Sequence, residues 1–175
     1  MFTLLLLSIA TGRPETTSPT TLLQTDTSGV YYRRDGGDVS MRPATVFKAN
    51  VKGLDNYIYT GGYTNLDMNV SFAGTKALLR VRESMPVFIV RPSVHSSNIA
   101  LASLALKKNQ RVCRTSPSDS AAGNKYGLRK ANIIRTIVTE NPDKSFSIKP
   151  ERPLKPGEYL LITDSVSSGY DFGVD

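Results

Sequence analysis

The chain has 175 residues, 39% of them apolar and 21% charged, which suits one globular domain with a tail and excludes a disordered polymer. A single Cys and a single His exclude an intramolecular disulfide framework and a zinc site built from Cys and His. The excess of 22 basic over 15 acidic side chains leaves a net charge of +7.

Residues 1–10 read as an export signal. Phe2 to Ala10 is an apolar run that ends on the small residues Ser8 and Ala10. No Lys or Arg precedes it and it is short for a leader, so a docked terminal segment is the competing reading. It is not a transmembrane helix, which needs about 20 apolar residues. Residues 11–27, "TGRPETTSPTTLLQTDT", are a Thr/Ser/Pro-rich linker with little to bury.

Residues 28–175 carry the folded domain. "GVYYRRDGGDVSMRP" places β-branched and aromatic residues around Asp35-Gly36-Gly37 and predicts a hairpin. "ATVFKANV" extends the second strand or starts another, with Pro43 at an edge or bulge. "NYIYTGGYTNLDMNVSFAG" predicts two short strands around Gly61-Gly62. In "TKALLRVRE", Ala77, Leu79 and Val81 share one face while Lys76, Arg80 and Arg82 share the other, leaving Leu78 as the exception. "MPVFIVRP" has the pattern of a buried strand.

"NIALASLALKKNQRVCRTS" is ambiguous over residues 99–108. Its Ala, Leu and Lys favour a helix, but the early break at Lys108-Asn109-Gln110 and the β-like "RVCRT" that follows tip the reading to a hairpin. "SPSDSAAGNKYG" is a loop, "ANIIRTIVTE" a strand, Asn141 to Lys144 a turn, and "SFSIKP" its partner strand. "PLKPGEYLLIT", the turn "SVSSG" and "YDFGVD" complete the pattern. Roughly 8–11 short strands with frequent turns predict an all-β fold, an antiparallel β-sandwich that is Ig-like or an open barrel.

Chemistry-bearing motifs are sparse. Asp171-Phe172-Gly173 matches the magnesium-holding triplet of protein kinases, but a glycine-rich loop and a His-Arg-Asp catalytic loop are missing. The alternation of Tyr170, Phe172 and Val174 with Asp171, Gly173 and Asp175 predicts a strand with Phe172 buried instead. Gly173 would leave room for a bulge or a close neighbour. Gly74-Thr75-Lys76 has the wrong order for a phosphate loop. Cys113 activated by His95 is the one available route to a thiol nucleophile, and a small buried hydrophobe is the simpler reading of Cys113. Asn69-Val70-Ser71 has the form of a glycosylation sequon, read here as accidental. No catalytic residue, metal site or cofactor is assigned.

Charge is uneven. Residues 1–75 hold six basic and six acidic side chains, net 0; residues 76–135 hold twelve and two, net +10; residues 136–175 hold four and seven, net −3. The candidate anion-binding set is Lys76, Arg80, Arg82, Lys107, Lys108 and Arg111. The competing reading is that these side chains keep strand faces soluble and pair with the acidic segment that follows. Nucleic acid is disfavoured, because no aromatic residues are interleaved as stacking platforms.

"SGVYYRRDGG", "KNQRVCRT", "LKPGEYLLI" and "YDFGVD" together resemble a group of bacterial small all-β domain proteins, often exported. The resemblance covers residues 28–175. It implies a β architecture and a bacterial origin, and no activity or site residue comes with it. The expectation is a non-catalytic structural or partner-binding module of the periplasm or cell envelope, with an unidentified protein or anionic envelope component as partner. A cytoplasmic location is the alternative for the compartment. An anion- or carbohydrate-binding protein, or a hydrolase with a loop-assembled site, is the alternative for the function.

Overall fold

A computed structural model describes residues 29–35, 37–52, 67–91, 98–116 and 126–175. In chain order the strands are β1 (Val30–Arg34), β2 (Gly37–Ser40), β3 (Val46–Lys52), β4 (Asp67–Ala73), β5 (Arg80–Val81), β6 (Val87–Val90) and β7 (Ala100–Lys107). They continue as β8 (Gln110–Thr115), β9 (Ile133–Ile134), β10 (Thr136–Glu140), β11 (Phe146–Pro150), β12 (Gly157–Ile162) and β13 (Tyr170–Val174). Among the described residues that makes 13 strands, more than the 8–11 the sequence predicts, because β5 and β9 are ladders of two residues each. The predicted leader, linker, Gly61-Gly62 turn, His95 and most of the "SPSDSAAGNKYG" loop lie outside the described residues.

The strands form an antiparallel-dominated β-sandwich of two sheets. One has five strands in the order β10-β11-β6-β1-β2; the other has eight, ordered β3-β4-β8-β7-β12-β13-β5 with β9 beside β7. Neither sheet closes on itself, so the fold is not a closed barrel. One pairing, β13 with β5, is parallel.

Local chemistry explains most elements. The β1–β2 register pairs Arg34 with Gly37, so the chain reverses between them, where a hairpin around Asp35-Gly36-Gly37 is predicted, and Gly37 itself opens β2. Ala100–Lys107 is strand: β7 and β8 form a hairpin whose turn residues Lys108 and Asn109 have φ of 47° and 59°. That left-handed pair is what a two-residue turn between twisted strands requires, and Asn tolerates it better than most residues. "MPVFIVRP" becomes β6, the middle strand of the five, with Phe88, Ile89 and Val90 buried. Strand β3 is an edge strand with a register shift between Val46 and Lys48, which leaves Phe47 62% exposed.

Two segments differ from the sequence pattern. "ANIIRTIVTE" is not one strand. After a 3-10 turn at Lys130–Asn132, β9 pairs with β7 in one sheet and β10 pairs with β11 in the other. The chain changes sheets at Arg135, whose carbonyl accepts a hydrogen bond from the Glu151 N–H at 2.9 Å. "TKALLRVRE" keeps its alternation, with Ala77 and Val81 buried and Leu78 95% exposed, but only Arg80 and Val81 join a ladder.

Two hydrophobic clusters result. Val30, Tyr32, Phe88, Ile148, Tyr159 and Phe172 are among the residues of the first, which fills the space between the sheets. Val70, Phe72, Leu104, Cys113, Leu160 and Ile162 are among those of the second. Along β12 the side chains alternate between the two: Tyr159 and Leu161 enter the first, Leu160 and Ile162 the second. Period-two alternation then sends apolar groups to both faces, so "YLLI" reads as an unbroken apolar run. Phe172 is fully buried, with its ring centroid 4.6 Å from that of Phe88 and 5.5 Å from that of Tyr159.

Candidate functional site

The end of the eight-stranded sheet where β5, β8, β12 and β13 meet holds a chain of ion pairs. Glu158 projects from β12 and is 94% buried; its carboxylate accepts from the Ala77 N–H at 2.7 Å and from Arg80 Nη1 at 2.5 Å. Arg80, in β5, also donates to Asp175 Oδ1 through Nε at 3.1 Å and Nη2 at 2.5 Å. Arg111, in β8, is 95% buried and donates to the Asp171 carboxylate and to the carbonyls of Ala73 (2.8 Å) and Gly74 (3.3 Å). Its Nη1 stands 3.9 Å from Glu158 Oε2, which joins the two pairs into one network.

Gly173 explains how the guanidinium reaches the sheet. A Cβ at this position would lie 1.6 Å from Arg80 Nη1, so the missing side chain is the space Arg80 occupies. The close neighbour that the glycine implied is therefore Arg80. Asp171 of the kinase-like triplet is a strand residue held by Arg111.

Three of the six candidate cations converge on Asp175. Its carboxyl is held below the usual range first by the hydrogen bond from Arg80, and further by the charges of Lys76 and Arg82. The Arg80 guanidinium is correspondingly pushed up, chiefly by its hydrogen bond to Asp175. Lys107 and Lys108 lie at the β7–β8 turn. The bridge between Gly74 and Gln110 sets that turn beside the segment that leads to Lys76. Lys76, Arg82, Lys107 and Lys108 are exposed. Arg80 and Arg111 are instead committed to carboxylates of the chain itself.

Next to this network lies a groove of about 650 Å³ between residues 40–45 and 73–79. Arg111 and Asp171 form part of its lining, Met41, Pro43 and Leu79 supply apolar surface, and Arg42 and Lys76 line it as exposed cations. Leu78, 95% exposed, also lines it. Arg42 was not distinguishable in the sequence, since it sits in the segment of zero net charge. The roles of Glu158 and Asp171 were foreshadowed only by the excess of acids in residues 136–175.

Other candidates are quieter. Cys113 is fully buried, and burial pushes its thiol up to about 12, which opposes the thiolate a nucleophile needs. Its proposed base, His95, lies outside the described residues. Among the described residues no group of three or more His, Cys, Asp and Glu is placed to hold a metal ion. Asn69 of the sequon sits in the middle of β4, which is paired on both sides. Tyr32 donates to the Glu83 carboxylate; burial and that hydrogen bond push the phenol up to about 12. No helix among the described residues is long and apolar enough to cross a membrane. No protein-family model, curated protein or solved structure matches this chain.

Proposed function

We propose that the chain is a non-catalytic partner-binding module of the bacterial envelope, and that it holds an acidic stretch of a partner protein in the groove between residues 40–45 and 73–79. The observation that carries this reading is the make-up of the groove. Exposed Arg42 and Lys76 line it beside the bare side chain of Leu78, and Asp171 is the sole acid among the described lining residues. Asp171 is neutralised by Arg111, so the groove has a positive balance toward an incoming chain. A large apolar side chain left in water beside cations suits an extended acidic peptide with an apolar anchor. The envelope assignment rests on the apolar segment at residues 2–10 and on the resemblance to often-exported bacterial domains.

A photo-crosslinking residue at position 78, in cells that make the full chain, tests the reading. The expected result is a crosslinked protein with an acidic segment, recovered with the envelope fraction. Charge reversal by Arg42→Glu with Lys76→Glu should abolish the crosslink while the chain still unfolds cooperatively, with a small fall in melting temperature because Lys76 faces Asp175. An undiminished crosslink in that variant would remove the basis for the assignment.

A further inference from the structure

A second groove, of about 510 Å³, lies between the β7–β9 ladder and residues 151–155. We infer that it binds a phosphate monoester that carries a compact apolar body.

Charge comes first. Arg135, Arg152 and Lys155 line the groove together with Glu151. Three cations against one acid leave a local balance of +2, which matches a dianionic phosphate monoester better than a singly charged carboxylate. Among the described residues none forms an ion pair with Arg135, Arg152 or Lys155. Guanidinium groups present paired N–H donors that fit phosphate oxygens bidentately, and two of the three cations are arginines.

The backbone beneath these cations is restrained. The Glu151 N–H donates to the Arg135 carbonyl at 2.9 Å, the Leu154 N–H to the Ser84 carbonyl at 2.7 Å, and the Tyr159 hydroxyl to the Lys155 carbonyl at 2.7 Å. Pro153 and Pro156 fix two further backbone angles. A cationic loop tied at these points loses little freedom when an anion arrives.

Apart from Ser103, whose hydroxyl donates to the Asn132 carbonyl at 3.4 Å, the remaining lining is apolar. Ile133 is 37% exposed, Ile134 is half-buried, and the buried Leu154 and Tyr159 complete the wall. The volume lies within the roughly 300–1,000 Å³ of small-molecule sites. These cations are distinct from those of the first groove, so the inference does not depend on the partner-binding reading.

Calorimetry and amide NMR on the full chain with phenyl phosphate, inorganic phosphate and phenol test it. Phenyl phosphate should bind saturably, roughly tenfold tighter than inorganic phosphate, and shift amides at residues 133–135 and 151–155. Arg152→Gln and Lys155→Gln should each weaken it by about tenfold. Ile133→Ser should reduce the preference for phenyl phosphate over inorganic phosphate, and Arg42→Glu with Lys76→Glu should change nothing. Absence of saturable binding at about 10 mM, which is weaker than a specific small-molecule site, would overturn the inference. So would phenol binding as tightly as phenyl phosphate, or indifference to both Arg152→Gln and Lys155→Gln.

Discussion

Replacing Gly173 by Ala should destabilise the domain through a side chain more than 90 positions away. A Cβ at residue 173 would enter the space of the Arg80 guanidinium, 1.6 Å from Nη1. Arg80 is a flexible side chain and can withdraw, but it then abandons Glu158, whose side chain is 5% exposed. Glu158 keeps the Ala77 N–H and the more distant Arg111. Losing one charge-assisted hydrogen bond to a buried carboxylate costs about 1.5–3 kcal/mol. The gain from a less flexible unfolded chain offsets about 0.4–1 kcal/mol of that, since Gly173 does not occupy the left-handed region. The net is about 1–2 kcal/mol, or a fall of roughly 2–8 °C in Tm for a domain of this size. Urea titration followed by circular dichroism measures it, and the decisive comparison is the same substitution in an Arg80→Ala background. There the new methyl has nothing to displace, so only the unfolded-chain term remains and the substitution should become neutral or stabilise by up to about 1 kcal/mol. An equal loss in both backgrounds would show that Gly173 is required for a reason unrelated to Arg80.

Phe172→Ala should cost about 3–5 kcal/mol, because it opens a cavity between Phe88 and Tyr159; chemical denaturation would expose a smaller role if the loss stayed below about 1 kcal/mol. Deleting residues 170–175 should lower the melting temperature further, and an unchanged value would mean that β13 contributes nothing to the sheet. Cys113 should resist aromatic disulfide reagents in native buffer and react fully in denaturant, since its thiol is buried and pushed up to about 12. Acid should weaken the fold. Asp175 and Glu83 are held below their ordinary values, by Arg80 and Tyr32 respectively. Their stabilisation is complete above the unfolded carboxylate range near pH 4, and is lost as pH falls through the depressed folded values. Tyr32 acts in the opposite direction. Its contribution is intact below the unfolded phenol value near pH 10, fades as pH rises to about 12, and should vanish from the alkaline stability profile of Tyr32→Phe.

The sequence made the strands legible where local rules decide. "RRDGGD" announces the β1–β2 hairpin, and the alternation in "YDFGVD" buries Phe172 as observed. Over residues 99–108 propensity points to helix, and only the break at Lys108-Asn109-Gln110 indicates the hairpin, because helix formers fill a strand whose two faces both meet apolar neighbours: Leu101 enters one cluster, Ala102 and Leu104 the other. "ANIIRTIVTE" misled for a related reason. Its β-branched residues satisfy strand propensity throughout, while the division at Arg135 is imposed by two different sheets claiming its halves. The charge count singled out Arg80 and Arg111 but not what they meet. Asp171 lies 60 residues from Arg111 and Glu158 lies 78 from Arg80 along the chain, separations over which composition carries no geometry. Nothing in the sequence grouped Arg135 with Arg152, because hydrogen bonding from Glu151 to Arg135, rather than proximity in the chain, brings those segments together.

The placement of β12 between β7 and β13, with an apolar cluster on each face, has a kinetic consequence. Tyr159 and Leu161 complete one cluster and Leu160 and Ile162 the other, so both stay incomplete until residues 157–162 are in place. Its ladders reach back to Leu104 and forward to Val174, and β13 reaches back further, to Arg80. Folding of such a topology waits on long loop closures and is slow for its size. Until then the preceding strands display unpaired edges and apolar faces to solvent, which is the interval in which a chaperone or a neighbouring copy would find them.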